Sequence, residues 1–277
     1  MHIERAFRGG TGTPLVLLHG LGGSWTGWQP VIPLLRDEHD VFAPTLAGHR
    51  GGPALDLTRP VDIALLTDEL ESAMDEAGFD RAHLVGNSVG GWVALEAARR
   101  GRARSVVALS PAGAWRTDRD RRRVVTQVRV GAGLTVRSSK FMRPLLRLAT
   151  LRRAWFATMM SHGDRLSPTA ADDLLRDFAA CTALRPFTEW WRTADPLPRL
   201  DHGCPVRIAW SDNDRTLPFE KFGKPLLKRV ERADWLLMPG VGHVPMHDDP
   251  RLVAQTILDF TQRVDASDKN ISESTSP

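Results

Sequence analysis

Residues 86–90 read Gly-Asn-Ser-Val-Gly and place one serine between two glycines. An apolar run at 82–85 precedes them, and a stretch typical of a helix, 91–100, follows. A sharp turn from strand to helix holds its central residue at positive φ and needs small neighbours. Ser88 is therefore predicted to project its hydroxyl from the strand end as a nucleophile. The Val89 amide, at the helix N-terminus, would face developing negative charge. The five residues alone are also typical of a plain glycine-tolerant turn.

The loop 211–218 follows the apolar run 206–210 and contains two carboxylates, Asp212 and Asp214. A carboxylate at a strand end can hold an imidazole in one tautomer and stabilise its protonated form. Asp214 is predicted to have this role because it stands at the start of the turn that leads into the next helix. Asp212 is interpreted as a turn residue whose side chain bonds the local backbone.

The loop 240–245 reads Gly-Val-Gly-His-Val-Pro and follows a predicted strand. A histidine on such a loop can reach across the end of a sheet as a general base. His243 is predicted to do so, although alone it would be equally typical of a surface histidine. His247 does not complete a zinc site with it, because Pro245 interrupts any helix that would put both rings on one face.

The loop His-Gly-Leu-Gly-Gly at 19–23 ends the apolar run 15–18. Glycines let the backbone turn so that an amide can face a substrate oxygen. We expect the amides of Leu21 and Val89 to form a two-donor oxyanion hole, where losing one donor costs about 3 kcal/mol of transition-state stabilisation. A flexible connection without chemistry is the alternative interpretation of the loop.

Short apolar runs alternate with helical stretches along most of the chain, and they must position these residues. The runs that predict strands are residues 15–18, 41–43, 82–85, 105–109, 206–210 and 234–238. This alternation favours an α/β fold whose mostly parallel sheet is covered by helices on both faces. The alternation breaks after Pro111, and a helix-rich, arginine-rich segment continues until about Pro205. We interpret it as an insertion above the carboxyl ends of the strands.

The order Ser88, Asp214, His243, together with the loop 19–23, resembles the α/β-hydrolase family over nearly the whole chain. The resemblance implies about eight strands in a mostly parallel sheet flanked by helices, with a helical cap inserted after the sixth strand. Only 18 residues precede His19, so one early antiparallel strand is expected to be short or missing.

The resemblance also implies a division of the chain. Residues 1–111 and 204–264 are expected to form the hydrolase core, and residues 112–203 the cap. The polar tail 265–277 is predicted to be disordered. Many relatives have Asp-Leu-Pro-Gly-His-Gly where this chain has Thr-Leu-Ala-Gly-His-Arg at 45–50, so the contribution of this loop stays open.

The expected activity is hydrolysis of a carboxylic ester of small to medium apolar size, through an acyl-enzyme on Ser88 and without metal or organic cofactor. A serine nucleophile argues against the dehalogenase and epoxide hydrolase chemistry of the family, which uses a carboxylate. Alternatives are a thioesterase, a lactonase, a haloperoxidase-like enzyme, or a carbon–carbon hydrolase of the meta-cleavage type with Arg185 as cap arginine. Val244 follows the histidine where that last group has Trp. A small-molecule receptor on the same scaffold is the non-enzymatic alternative.

Aromatic and methionine side chains cluster late in the cap segment. They pack helix faces together, form an apolar wall for the substrate, or do both. The residues assigned to that wall are Trp155, Phe156, Met159, Phe187, Trp190, Trp191 and Val244.

Net charge is +4, and its distribution is uneven. Residues 99–153 contain 16 Arg or Lys but only two acids, Asp118 and Asp120. This charge favours a solvated basic face docked on the acidic remainder, or weak contact with an anionic membrane surface or acidic substrates. Nucleic acid is not an expected partner, because no binding motif accompanies the charge. Without a secretory signal or a long apolar run, the expected location is the cytoplasm.

Overall fold

A computed structural model describes residues 4–200, 203–230 and 232–274, with side chains described up to residue 270. Within these ranges the chain forms one seven-stranded sheet. Its strands are β1 (Ala6–Gly10), β2 (Thr13–Leu18), β3 (His39–Pro44), β4 (Ala82–Asn87), β5 (Ala103–Leu109), β6 (Val206–Ser211) and β7 (Asp234–Met238). Their order across the sheet is β1-β3-β2-β4-β5-β6-β7. β1 pairs antiparallel with β3, and every other pair is parallel.

Nine α-helices occur within the same described ranges. They are α1 (Ile63–Glu76), α2 (Val89–Arg99), α3 (Asp118–Leu145), α4 (Ala149–Trp155), α5 (Pro168–Ala180), α6 (Leu184–Trp191), α7 (Phe219–Leu227), α8 (Pro245–Asp248) and α9 (Pro250–Ser274). Helices α3 to α6 follow one another between β5 and β6, where the insertion was expected.

The predicted α/β fold with a mostly parallel, helix-flanked sheet is confirmed. The described sheet has seven strands rather than about eight, and the single antiparallel strand β1 precedes β2 directly. The helical insertion therefore follows the fifth described strand instead of a sixth. Among the described residues before His19, the strands are β1 and β2.

Strands in the middle of the sheet are buried on both faces, which explains their continuous apolar runs. Successive side chains of a strand point to opposite faces. Val16 and Leu18 accordingly pack in the core that contains α1 and α2. Leu15 and Leu17 pack in the core that contains α9. Because β2, β4, β6 and β7 are parallel, their carboxyl ends meet at one edge of the sheet.

Helix α9 continues through Ser274, so the disorder predicted for residues 265–277 is wrong for 265–274. Residues 275–277 lie outside the described residues. The Asp265 carboxylate accepts hydrogen bonds from Thr13 Oγ1 (2.9 Å), His83 Nε2 (3.0 Å) and Arg104 (3.1 Å). These partners are distant in sequence, and the polar composition of the tail does not reveal them.

His83 lies near the amino end of β4, at the opposite end of the sheet from Ser88. Its Nε2 is 3.0 Å from Asp265 Oδ1, and its Nδ1 is 2.7 Å from Ser105 Oγ. Since the carboxylate only accepts, Nε2 carries the proton and Ser105 donates to Nδ1. Burial lowers the pKa of His83 to about 4, so its buried ring is neutral.

Candidate active site

Ser88 stands at the turn between β4 and α2, with φ 58° and ψ −117°. Such a backbone is costly for a residue with a side chain, and tight packing around the turn enforces it. A Cβ on Gly86 would lie 2.2 Å from the Gly90 carbonyl oxygen. A Cβ on Gly90 would lie 2.5 Å from the His19 carbonyl oxygen. Both flanking glycines are therefore required by close backbone approach, as the sequence predicts.

The loop after β2 lies directly against this turn. A Cβ on Gly20 would lie 3.2 Å from Ser88 Cβ. Neither the Leu21 amide nor the Val89 amide has an acceptor among the described backbone contacts. Two unused donors beside the serine hydroxyl can stabilise negative charge on a substrate oxygen.

Asp214 and His243 are in contact at the carboxyl ends of β6 and β7. His243 Nδ1 is 2.7 Å from Asp214 Oδ2, and both side chains are buried. The other carboxylate oxygen, Oδ1, accepts from the amides of Thr216 (2.9 Å) and Leu217 (2.7 Å). These amides fix the carboxylate, which in turn orients the imidazole and keeps the proton on Nδ1. Asp212 is exposed and accepts from the Gly240 amide instead, so it only shapes the histidine loop.

Ser88 and His243 line the same cavity. The described contacts include no hydrogen bond between Ser88 Oγ and His243 Nε2. Catalytic hydrogen bonds are often long or poorly aligned without substrate and tighten when it binds. The free Nε2 edge of the ring is the one left to face Ser88, because Asp214 occupies Nδ1.

Two residues that sequence reasoning missed hold the histidine loop. The Asn87 side-chain amide donates to the carbonyls of Leu109 (3.1 Å) and His243 (2.9 Å). It therefore ties the serine turn to the histidine. Its position before Ser88 was the available signal.

The carboxylate of Asp248, in α8, is the second such residue. It accepts from the amides of Gly242 (2.7 Å), Ser161 (2.8 Å) and His162 (2.7 Å). The side chain is 1% exposed. It joins the loop before His243 to the cap, and no local motif marks it.

The histidine of the loop 19–23 has a structural role. His19 Nε2 accepts from the Leu46 amide at 3.0 Å, and its Nδ1 is 2.8 Å from the Gly20 carbonyl oxygen. Burial, reinforced by the neighbouring ring of His49, lowers the pKa of His19 to about 3. Burial also lowers the pKa of His49 to about 4. Both rings are neutral and connect the loop 45–50 to the site.

The cavity above Ser88 has a volume of about 280 Å³. Leu21 and Val89 lie on its wall, as do four of the predicted substrate residues: Trp155, Phe156, Met159 and Trp191. The wall also contains residues that the sequence analysis did not assign, which are Val124, Gln127, Val128, Gly131, Ala132, Leu134, Thr135, Thr158, Leu175, Phe178, Thr216 and Leu217. Helix α3 thus contributes more of the wall than the aromatic cluster does.

Three predicted wall residues are corrected, because Phe187, Trp190 and Val244 do not line this cavity. Phe187 is fully buried in the core and packs on Trp190, with ring centroids 5.3 Å apart. The Trp190 ring packs against the Trp92 ring in a tilted arrangement, with ring centroids 5.6 Å apart. Val244 packs between the core and the cap, and its amide donates to the Met159 carbonyl. The other interpretation, that these side chains pack helix faces together, applies to these three residues.

Arg50 connects the loop 45–50 to the cap. Its Nε donates to Asp177 in α5, and its Nη2 is 3.2 Å from Asp173. Ser24 donates to the second oxygen of Asp177 at 2.6 Å. Burial raises the pKa of Asp177, whose side chain is 1% exposed, while Ser24 and Arg50 oppose that shift. The sequence left the contribution of the loop 45–50 open. In the structure, this loop connects the core to the cap through the ion pair between Arg50 and Asp177.

The Arg50–Asp177 ion pair positions Phe178, the residue that follows Asp177. The Phe178 ring lies against Gly22, where a Cβ would be only 2.5 Å from the ring. Gly22 has φ +83°, so the loop that carries the Leu21 amide both needs glycine there and is covered by Phe178.

A larger and more open groove, of about 800 Å³, lies between α5 of the cap and α8 of the core. None of Ser88, Asp214 and His243 lines it. Burial lowers the pKa of His247, at its edge, to about 4. The smaller cavity remains the candidate site because it alone combines the serine, the histidine and the free amides among the described residues.

Residues 15–256 match the profile of the α/β-hydrolase family. The chain belongs to this family and is a hydrolase with a small-molecule substrate. Epoxide hydrolase EphH of Mycobacterium tuberculosis is 31% identical to it over 202 residues, which cover 72% of this chain and 94% of that protein.

Solved structures share the fold. An esterase of Thermogutta terrifontis matches with a TM-score of 0.71 and 21% identity, over 94% of this chain and 93% of that one. An epoxide hydrolase of Bacillus megaterium matches with a TM-score of 0.70 and 15% identity, over 93% and 96%. An esterase and an epoxide hydrolase fit equally well, so the fold does not choose between their reactions.

Proposed function

We infer that this hydrolase cleaves carboxylic esters of small to medium apolar compounds through an acyl-enzyme on Ser88. One observation carries the proposal. The serine stands at positive φ on the wall of an apolar cavity that also exposes His243, whose ring is held by Asp214 at 2.7 Å.

The proposed reaction has two halves. Ser88 Oγ attacks the ester carbonyl while His243 Nε2 takes the hydroxyl proton, and the Leu21 and Val89 amides stabilise the oxyanion. As the tetrahedral intermediate collapses, His243 returns that proton to the leaving alcohol. A water molecule then loses a proton to His243 and attacks the acyl carbon. As this second intermediate collapses, His243 returns the proton to Ser88 Oγ and the acid leaves. Asp214 keeps Nδ1 protonated throughout and stabilises the imidazolium.

The cavity wall supports a neutral apolar substrate. Its polar side chains besides Ser88 and His243 are uncharged: Gln127, Thr135, Thr158 and Thr216. A volume of about 280 Å³ lies near the lower end of the usual range for small-molecule sites, about 300–1,000 Å³. That fits an acyl chain or aromatic group of modest length.

The carbon–carbon hydrolase alternative depends on Arg185 as a cap arginine near the substrate. Arg185 is absent from the wall of this cavity and lines a separate surface pocket with Leu57 and Glu189. Among the described residues that line this cavity, none is an arginine or lysine that would pair with a substrate carboxylate. Ester, thioester and lactone cleavage all fit the same acyl-enzyme chemistry, and we favour the ester.

The similarity to an epoxide hydrolase does not change the proposed reaction. In the family's epoxide chemistry, a carboxylate nucleophile opens the ring and forms an ester that water cleaves. Ser88 occupies that position here. A serine ether formed by ring opening would have no carbonyl for water to attack, so turnover would stop after one cycle.

The test is a panel of p-nitrophenyl esters from acetate to dodecanoate, with wild type and Ser88→Ala. We expect turnover of the shorter esters, and a loss of about 10⁴-fold or more in kcat for Ser88→Ala. A serine-directed fluorophosphonate should label Ser88 alone. Ser110→Ala is the matched control, because Ser110 also ends a strand at positive φ (41°) but is buried. Esterase activity that survives Ser88→Ala would refute the proposal.

A further inference from the structure

Exposed apolar side chains are concentrated in one part of the cap. Nine large apolar side chains are exposed among the described residues, and six of them lie in α3 and the turn after it. These six are Val130, Leu134, Val136, Phe141, Leu145 and Leu148. Phe141 is 77% exposed. Single exposed apolar residues are ordinary, but a contiguous group marks an interaction surface.

The spacing of four of these residues, Val130, Leu134, Phe141 and Leu145, defines a face of α3, whereas Val136 lies off that face and Leu148 follows the helix. With 3.6 residues per turn, positions 130, 134, 137, 141 and 145 share one side of the helix, and positions 119 and 123 continue it toward the N-terminus. We call this side the α3 outer face; it consists of Arg119, Arg123, Val130, Leu134, Arg137, Phe141 and Leu145. The buried residues Val124, Val125 and Ala132 lie on the opposite side.

The cations of this face differ from most other arginines of the basic segment, although Arg122 and Arg147 likewise have no ion pair with a described side chain. Arg100, Arg102 and Arg104 form ion pairs with acids of the core. In contrast, the cations at 119, 123 and 137, and Lys140 beside them, have no ion pair with any described side chain. Unpaired positive charge of the basic segment therefore lies beside the exposed apolar residues of α3.

The α3 outer face also borders the cavity above Ser88. Gln127, Gly131 and Leu134 line that cavity and are themselves exposed. Leu134 is 59% exposed and belongs to both surfaces. The wall that α3 contributes is thus also the molecular surface next to the apolar residues.

We propose that the α3 outer face docks on an anionic lipid membrane. Its apolar side chains enter the acyl boundary, and its cations lie against lipid phosphates. The helix would lie in the interface; among the described residues, no helix is long and apolar enough to cross a bilayer.

Charge complementarity selects this occupant over a second copy of the chain. A twofold contact through the same face would bring the two sets of unpaired cations together. A neutral apolar protein partner would leave the cations unused. An anionic lipid surface accepts both the apolar residues and the charges.

Docking there would put the exposed wall of the cavity against the lipid. This consequence rests on the proposed function: an apolar ester dissolved in the membrane would reach Ser88 without crossing water. The docking itself does not depend on turnover, so it is measured separately.

The experiment is co-sedimentation of the full chain with vesicles of 70% phosphatidylcholine and 30% phosphatidylglycerol, at low salt. Wild type is expected to sediment with these vesicles, much less with pure phosphatidylcholine, and less at 0.5 M NaCl, where charges are screened. Arg123→Gln/Arg137→Gln/Lys140→Gln should lower the partition coefficient by about 100-fold, and Phe141→Ser should lower it at least severalfold.

Two matched variants control for charge and apolarity. Arg36→Gln/Lys228→Gln/Arg251→Gln removes three exposed cations elsewhere, and Leu57→Ser removes an apolar side chain that is 73% exposed. Both should bind vesicles like wild type. All variants should keep their turnover of a soluble short ester, which reports folding and tests the proposed function independently.

Three results would overturn the docking proposal. The first is wild-type protein that stays in the supernatant at low salt. The second is an equal loss of binding in the α3 variants and their controls. The third is a concentration-dependent dimer that Phe141→Ser dissociates, which would assign the face to a second copy.

Discussion

Replacing Arg50 by Met should destabilise the protein while leaving the catalytic side chains untouched. Arg50 supplies the positive charge for Asp177, whose carboxylate is 1% exposed, and also contacts Asp173. Without it, the buried carboxylate keeps only the hydrogen bond from Ser24. A methionine fills similar volume, so the main change is the loss of charge compensation.

The magnitude follows from the burial of the pair. Removing one partner of a buried ion pair costs about 3–5 kcal/mol, because the remaining charge is left uncompensated. Ser24 still satisfies one oxygen, and Arg50 is partly exposed, so the lower end applies: about 3 kcal/mol. For a chain of this size, that loss lowers Tm by roughly 6–12 °C.

The assay is urea unfolding at pH 8 of wild type, Arg50→Met, Asp177→Leu and the double variant. The double variant should recover most of the loss, since it removes the buried charge itself. Because burial raises the folded-state pKa of Asp177, the penalty of the ionised carboxylate is present at pH 8 and shrinks as pH falls toward its unfolded value. The control is Arg59→Met, whose exposed pair with Asp68 is worth at most about 1 kcal/mol.

The reasoning would fail if Arg50→Met lost no more stability than Arg59→Met. It would also fail if the double variant were no more stable than Arg50→Met. A functional readout accompanies the stability measurement: loosening Phe178 above Gly22 should raise KM for p-nitrophenyl butyrate more than it lowers kcat.

Three other predictions follow from the site and the core. Asp248→Ala removes the acceptor of the Gly242 amide and should lower kcat about 10-fold or more through a misplaced His243, whereas Asp248→Asn should retain part of it; unchanged kinetics would contradict the assignment. Gly131→Leu has open space for its side chain beside the cavity, so it should shorten the longest ester hydrolysed without slowing acetate; an unchanged chain-length profile would count against α3 as a wall. Below pH 6.5, each buried imidazole of lowered pKa takes up its proton mainly in the unfolded state. The free energy of unfolding should therefore fall by about 1.4 kcal/mol per pH unit for each such ring, down to its folded-state pKa. Urea unfolding at pH 7.5, 6 and 5 measures this slope, which would be absent if these rings were solvated. The rings concerned are His19, His39, His49, His83 and His247.

The strand-end positions of the reactive residues were predictable because each depends on local sequence. Gly86 and Gly90 mark the serine turn, and the loop 240–245 presents its histidine directly after a strand. The choice of Asp214 over Asp212 followed from its place in the turn toward α7. In each case, a few adjacent residues determine where the side chain points.

The wall of the cavity was less predictable, because it depends on the rotation of each cap helix about its axis. Trp190 and Trp191 are neighbours, yet only the second lines the cavity. Composition drew attention to aromatic residues, whereas α3 contributes small and aliphatic ones such as Gly131 and Ala132. Asp177 and Asp265 show the same limit, since their partners are more than 100 residues away.

The cluster of Ser105, His83 and Asp265, in which the serine and the histidine are fully buried, gives the protein an internal reference for reactivity. It repeats the chemical groups of the proposed triad, with the serine donating to a carboxylate-bound imidazole, but its serine and imidazole are closed to solvent. A phosphonylating probe therefore compares two serines near carboxylate-bound imidazoles, one on a cavity wall and one fully buried. If only Ser88 reacts, a neighbouring imidazole is not sufficient to make a serine of this chain reactive. The electrophile must also be able to reach the hydroxyl.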